Sequence, residues 1–181
     1  MTAGQVLSRP IDVSTIPATG IERKFTATEA ERAALAKAYG LVEVRSLTAD
    51  LVASAGSRGS VRVEGRVTAD IVQSCVVSLA PVEQKIDEAV DVRYAPDRRE
   101  DFEPGSEISI DLEAEDPPEP LTGPALDLGA VAEEHFVLAI DPYPRAPGAE
   151  LAPASPDAGP ERPDSPFAAL AALGGKGKGA S

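Results

Sequence analysis

The stretch from Ser60 to Leu79, SVRVEGRVTADIVQSCVVSL, decides how this chain folds. Val61, Val63, Val67, Ala69, Ile71, Cys75, Val77 and Leu79 fall on odd positions, and Arg62, Glu64, Arg66, Thr68, Asp70, Ser74 and Ser78 on even ones. Successive side chains of a strand point to opposite faces, so the alternation lays one face on a core and the other in water. The run exceeds the usual strand of about five or six residues. It predicts either one long curved strand or two strands broken near Gln73 and Ser74.

The flanks extend the pattern. Upstream, within a strand region from Leu41 to Ala53, Leu47, Ala49, Leu51 and Ala53 alternate with Thr48, Asp50 and Val52, and the Gly/Ser loop SAGSRGS joins this region to the central strand as a hairpin. Downstream, Ala80 and Pro81 turn the chain, and Val82, Ile86, Val90, Val92 and Tyr94 share even positions in a third strand that Pro96 ends. Nearer the start, Pro10 to Val13 and Ile21 to Thr26 read as brief extended segments around a turn at Pro17 to Gly20. Thr28 and Glu31 form a capping box for a helix over EAERAALAKAY, which Gly40 closes.

After Pro96 comes a charged loop to Gly105, then ISIDL from Ile108 to Leu112 as a short strand, then AEDPPEPLTGP as an acidic, proline-rich linker. Asp127 is the N-cap of a second helix, with Leu128, Val131, Ala132, His135, Leu138 and Ala139 at helical spacing, stopped by Asp141 and Pro142. The predicted class is α+β: an antiparallel β-sheet, a meander that stays open or closes barrel-like, with an N-terminal helix and a C-terminal helix packed on it. Residues 1–145 form the single domain. Residues 146–181 are a Pro/Gly-rich mobile tail, with a short apolar segment, SPFAALAAL, at 165–173.

Charge limits what the protein binds. Of 181 residues only 4% are aromatic, none is Trp, and the net charge is −13. Glu83 to Glu119 holds 14 acids against Lys85, Arg93, Arg98 and Arg99. Such a field repels phosphate, because nucleic-acid affinity depends on Lys and Arg displacing condensed counterions. A local patch of Arg45, Arg58, Arg62 and Arg66 on the polar strand face is the alternative, and a solvated face with Glu64 and Asp70 interleaved is its bland counterpart. One cysteine excludes an intramolecular disulfide and fits a reducing compartment. The first residues lack a basic region followed by an apolar one, and no run of about 18 apolar residues occurs. A cytoplasmic protein with no membrane and no DNA partner is expected.

Catalytic signals are weak. Cys75 has no flanking His and belongs to the inward set, so it reads as a small buried hydrophobe. His135 on an apolar helix face reads as a packed, hydrogen-bonded residue, and one His with one Cys makes no zinc site of known spacing. Glu133 and Glu134 are adjacent acids, usually a solvated face. No phosphate-binding glycine loop, G-x-S-x-G or H-E-x-x-H motif is present. No enzyme activity, metal or cofactor is expected, with an uncharacterised hydrolase as the remote alternative.

QSCVVSLAPVE (Gln73 to Glu83), followed by LDLGAVAEEHFVLAIDPYPRAPGAE and closed by SPFAALAAL, resembles the YceD family in its alphaproteobacterial form. The resemblance covers Pro10 to Leu173. It implies a role in accumulation of large-subunit ribosomal RNA, through ribosome assembly or rRNA processing, without catalysis. Many relatives carry further cysteines that suggest a metal-linked C-terminal segment, whereas here Cys75 stands alone. An acidic domain without a base-stacking platform is a poor RNA reader. A basic partner, a ribosomal protein or a processing factor, is therefore expected to bind the acidic insert, through Asp116 and Glu119, and the DPYPR turn, through Asp141, Tyr143 and Arg145. The turn has a second reading, a rigid helix stop with Tyr143 packed on the sheet.

Overall fold

The computed structural model describes residues 5–96 and 117–150. Among these residues seven strands and two α-helices follow in order: β1 Pro10–Asp12, β2 Ile21–Thr26, α1 Glu29–Ala38, β3 Glu43–Ala55, β4 Val61–Ser74, β5 Pro81–Pro96, β6 Glu119–Leu121, β7 Ala125–Asp127 and α2 Leu128–Leu138. Strands β2 to β6 form one sheet in chain order, antiparallel except that β6 runs parallel to β5. β1 and β7 pair antiparallel in a separate two-stranded sheet. The architecture is thus α+β and mostly antiparallel. The large sheet is open, with β2 and β6 as its edges, so the barrel-like alternative does not hold.

Alternation fixes the register. Ala49 and Ala53 of β3 face Val67 and Val63 of β4, whose Val63 and Ala69 face Val92 and Ile86 of β5. All of these but Val92 are buried, and Leu7, Leu35, Leu126, Leu128, Val131 and Phe136 complete the core. A one-residue slip would turn this set to solvent, which is why the pairing is unique. Gly65 of β4 packs against the backbone of β3 at φ +152°, and a side chain there would overlap the Asp50 carbonyl.

Both helices keep the caps expected of them. Thr28 Oγ1 accepts from the Glu31 amide at 3.3 Å, and Glu31 accepts from the Thr28 amide at 2.8 Å. The Thr28 amide is the main reason that the Glu31 carboxyl lies below its ordinary range. α1 buries Leu35 and follows two strands rather than opening the chain. α2 starts at Asp127, but the face it buries is Leu128, Val131, Ala132, Glu133 and Phe136, while Leu138 is 76% exposed. The supposed linker AEDPPEPLTGP contributes β6, and the residues after it form β7.

At the decisive stretch the break falls near Gln73 and Ser74, since β4 ends at Ser74, but residues 75–80 form a turn rather than a second strand. Cys75 is buried as predicted, yet Leu79 is 76% exposed with φ +61°. The segments read as ISIDL and SPFAALAAL, together with Asp116, lie outside the described residues.

Candidate functional site

The polar face of the sheet is charge-compensated. Arg62 makes a bidentate pair with Asp91 at 2.8 and 2.9 Å and also reaches Glu64 at 3.3 Å. Those bonds hold the Asp91 carboxyl below its ordinary range. Arg66 pairs with Asp87, and Lys24 with Asp50 at 3.1 Å. Arg45 lies between Glu83, at 2.7 Å, and Glu43, at 3.2 Å, which raise its pKa further. Arg58 is exposed in the β3–β4 hairpin with φ +56°. At about 3.3 Å per strand residue, the length of β3 sets Arg58 roughly 30 Å from Arg45. The four arginines of the candidate RNA patch therefore do not converge.

A second cluster forms at the other end of the sheet, where β4 stops and β5 begins. The chain leaving α2 runs across this end and is tied to it repeatedly. Gln84 donates to the Ala139 carbonyl at 2.8 Å and accepts from the Asp141 amide at 3.1 Å. Gln73, only 7% exposed, donates to the Asp141 carbonyl at 2.8 Å. Val76 donates its amide to the Pro144 carbonyl at 2.9 Å, and the Ala146 amide reaches Cys75 Sγ at 3.3 Å.

Cys75 anchors both loops. Its sulfur also accepts from the amides of Val77 and Ser78 at 3.4 Å each. The Ala146 amide, then the Ser78 hydroxyl and amide, outweigh burial and lower the thiol to about 6. The residue is buried, as the alternation required, but its surroundings are those of a hydrogen-bonded thiolate rather than of an inert hydrophobe.

With the backbone fixed, the side chains of the DPYPR turn project outward. Pro144 is buried, whereas Asp141, Tyr143 and Arg145 are exposed, Tyr143 by 73%. The reading that packs Tyr143 on the sheet is overturned. Asp141 Oδ1 accepts from the Tyr143 amide at 2.9 Å, which sets the turn. Glu119 is exposed on β6.

A third cluster escaped sequence reasoning. Glu133 is not part of a solvated face: it is 4% exposed, and its carboxylate accepts from the Val6 and Leu7 amides, at 2.8 and 2.7 Å, and from the Tyr39 hydroxyl, at 2.6 Å. Burial, the bond to Glu133 and its charge push Tyr39 up to about 12. Asp127 accepts from the Arg9 amide at 2.6 Å, from Gln5 and Ser8 at 2.7 Å each, and from its own helix amides at Gly129 and Ala130. Burial pushes the Asp127 carboxyl up, but these donors together lower it below its ordinary range. The neighbouring Gly129 is packed so closely that a methyl there would lie 2.8 Å from the Arg9 nitrogen.

For Gln73 and Gln84 a signal did exist. Each occupies an inward position of the alternation, flanked by apolar residues, where a polar side chain needs a partner. Glu133 gave no such signal, because EEH on a helix looks the same whether it faces water or buried amides. His135 is half-buried, with Nδ1 2.9 Å from the Val131 carbonyl. Among the described residues no group of three His, Cys, Asp or Glu is placed to hold a metal ion. No helix among them is long and apolar enough to cross a membrane.

Comparison with curated proteins and comparison with solved structures each gave no match. A family model described as large ribosomal RNA subunit accumulation protein YceD matches residues 63–174, from within β4 to beyond the described C-terminal segment. The match spans well over half of the chain and includes both loops that meet at Cys75. The chain belongs to the YceD family, the large ribosomal RNA subunit accumulation proteins.

Proposed function

We propose that the protein is a non-enzymatic factor that supports accumulation of large-subunit ribosomal RNA by holding a basic protein partner, a ribosomal protein or a processing factor. The observation that carries this reading is the DPYPR turn. Its backbone is pinned through Ala139, Asp141, Pro144 and Ala146, while Asp141, Tyr143 and Arg145 are offered to solvent. An exposed aromatic between opposite charges on a rigid backbone loses little entropy on binding, the pattern of an interface anchor. The net charge of −13 favours a cationic partner, and the acidic insert with Asp116 and Glu119 would add to that attraction.

Direct binding of rRNA through Arg45, Arg58, Arg62 and Arg66 is the lesser reading. Phosphates would have to displace Glu83, Asp91 and Asp87 from three of these arginines. Two measurements separate the readings. Loss of the protein lowers the ratio of large- to small-subunit rRNA, and a tagged full-length chain retains basic large-subunit proteins after RNase treatment. An unchanged ratio removes the rRNA role. Retention that vanishes with RNase, together with RNA affinity that falls steeply with salt, favours the arginines instead.

A further inference from the structure

We infer that the turn at residues 75–80 is the second half of the docking surface, with Leu79 and Val76 supplying an apolar anchor beside Tyr143 for a cationic, amphipathic segment of a protein partner. This rests on the partner-binding reading above and specifies what the partner presents.

The argument begins with a conflict between residue type and backbone. Turns favour Gly, Asn, Asp and Ser, yet this one reads CVVSLA. Leu79 sits at φ +61°, a left-handed conformation that suits glycine and strains a branched side chain. Strain of this kind persists where the surroundings over-determine it. Here they do: the Leu79 amide donates to the Cys75 carbonyl at 3.0 Å, the Cys75 amide to the Ala80 carbonyl at 2.8 Å, and the Val77 and Ser78 amides to Cys75 Sγ. The side chain held in this way gains no burial. Leu79 is 76% exposed and Val76 49%. The folded chain gets neither a relaxed backbone nor a buried leucine from this arrangement, so its use lies outside the fold.

The position of the turn indicates what it serves. The Val76 amide bonds to the Pro144 carbonyl, so Val76 and Leu79 stand beside the DPYPR turn, where Tyr143 is 73% exposed. Val42, 58% exposed, lies at the same end of the sheet, with its amide on the Val72 carbonyl. Together these residues leave one aromatic and three aliphatic side chains in water on a braced scaffold at one end of the sheet. The charges around it have a surplus of acid: Asp141, Glu43 and Glu83 against Arg45, which is held between the two glutamates, and Arg145. A segment presenting apolar residues next to Lys or Arg complements that surface, and an acidic one does not.

The test uses the full chain carrying Leu79→Gly and Tyr143→Ser together. Glycine accepts φ +61°, and neither side chain is in the core, so thermal stability should equal or exceed that of the wild type. The probe is the RNA-free protein fraction of purified large ribosomal subunits, titrated onto the immobilised chain. We expect the wild type to retain a basic protein and the double variant to bind that same protein at least tenfold more weakly. Equal binding by a stable variant overturns the anchor while leaving the partner-binding reading intact. No binding by the wild type overturns the ribosomal-protein form of that reading and the anchor with it. A wild-type dimer in sedimentation that the variant disperses assigns the surface to a second copy and overturns the inference.

Discussion

The segment Gln5 to Arg9 and the segment Ala139 to Ala146 are both laced to the body of the fold through their backbones, but by different chemical groups. Two carboxylates on or before α2, Asp127 and Glu133, hold the first. Two amide side chains and a thiol, Gln73, Gln84 and Cys75, hold the second. The first arrangement draws Leu7 into the core at full burial. The second buries Pro144 but leaves Tyr143 and its charged neighbours in water. A buried carboxylate such as Glu133 is tolerated only when its oxygens are hydrogen-bonded, so the N-terminal staple belongs to stability. The second clasp fixes a backbone without burying what it displays.

The comparison is tested most severely at Glu133. Glu133→Ala strands two amides and a phenol hydroxyl, and at roughly 1–3 kcal/mol per unpaired buried group it should cost about 3 kcal/mol or more in denaturant unfolding. A loss below about 1 kcal/mol would mean that the staple is not structural. Asp127→Ala removes a helix cap and the ties to Gln5, Ser8 and Arg9, for an expected loss of about 2 kcal/mol. Asp127→Asn, which preserves the cap, should fall between this variant and the wild type.

Gln84→Leu should cost only about 1 kcal/mol globally, yet speed amide exchange at Asp141, Val76 and Ala146. If it destabilised the whole domain as much as Glu133→Ala, the distinction between staple and clasp would collapse. A separate test lies in pH dependence. The folded Cys75 thiol titrates at about 6 against an ordinary 9.0, so its stabilisation is complete above 9.0 and lost as pH falls through 6. Stability should rise between those values in the wild type and stay flat there in Cys75→Ala. In the staple, Asp127 loses its contribution as pH falls below 3.8, and the raised Tyr39 loses its own as pH rises from 10.0 through 12.

Much of the fold was legible. The hairpin over SAGSRGS, the capping box at Thr28 and the N-cap at Asp127 depend on neighbours within a few residues, and all three form as read. The break at the end of β4 was legible as one of two readings, but the turn that follows was not, because Val77 and Leu79 continue the odd-position pattern through it. What stops the strand is remote in sequence: the Pro144 carbonyl takes the Val76 amide, and the Ala146 amide takes the sulfur of Cys75. The polar-face arginines were legible as a set but not as ion pairs, since their carboxylates lie on β5, one strand from Arg62 and Arg66 and two strands from Arg45.

By itself, the sequence determined the period-two strands, the helix starts and the residue types of the core, because each follows from side-chain direction and local hydrogen bonding. Only the tertiary structure decided which charges are paired, that Glu133 is buried and that the apolar run at residues 75–80 leaves the sheet. Each of these depends on partners separated by many residues along the chain, and their meeting is set by register and packing rather than by local preference.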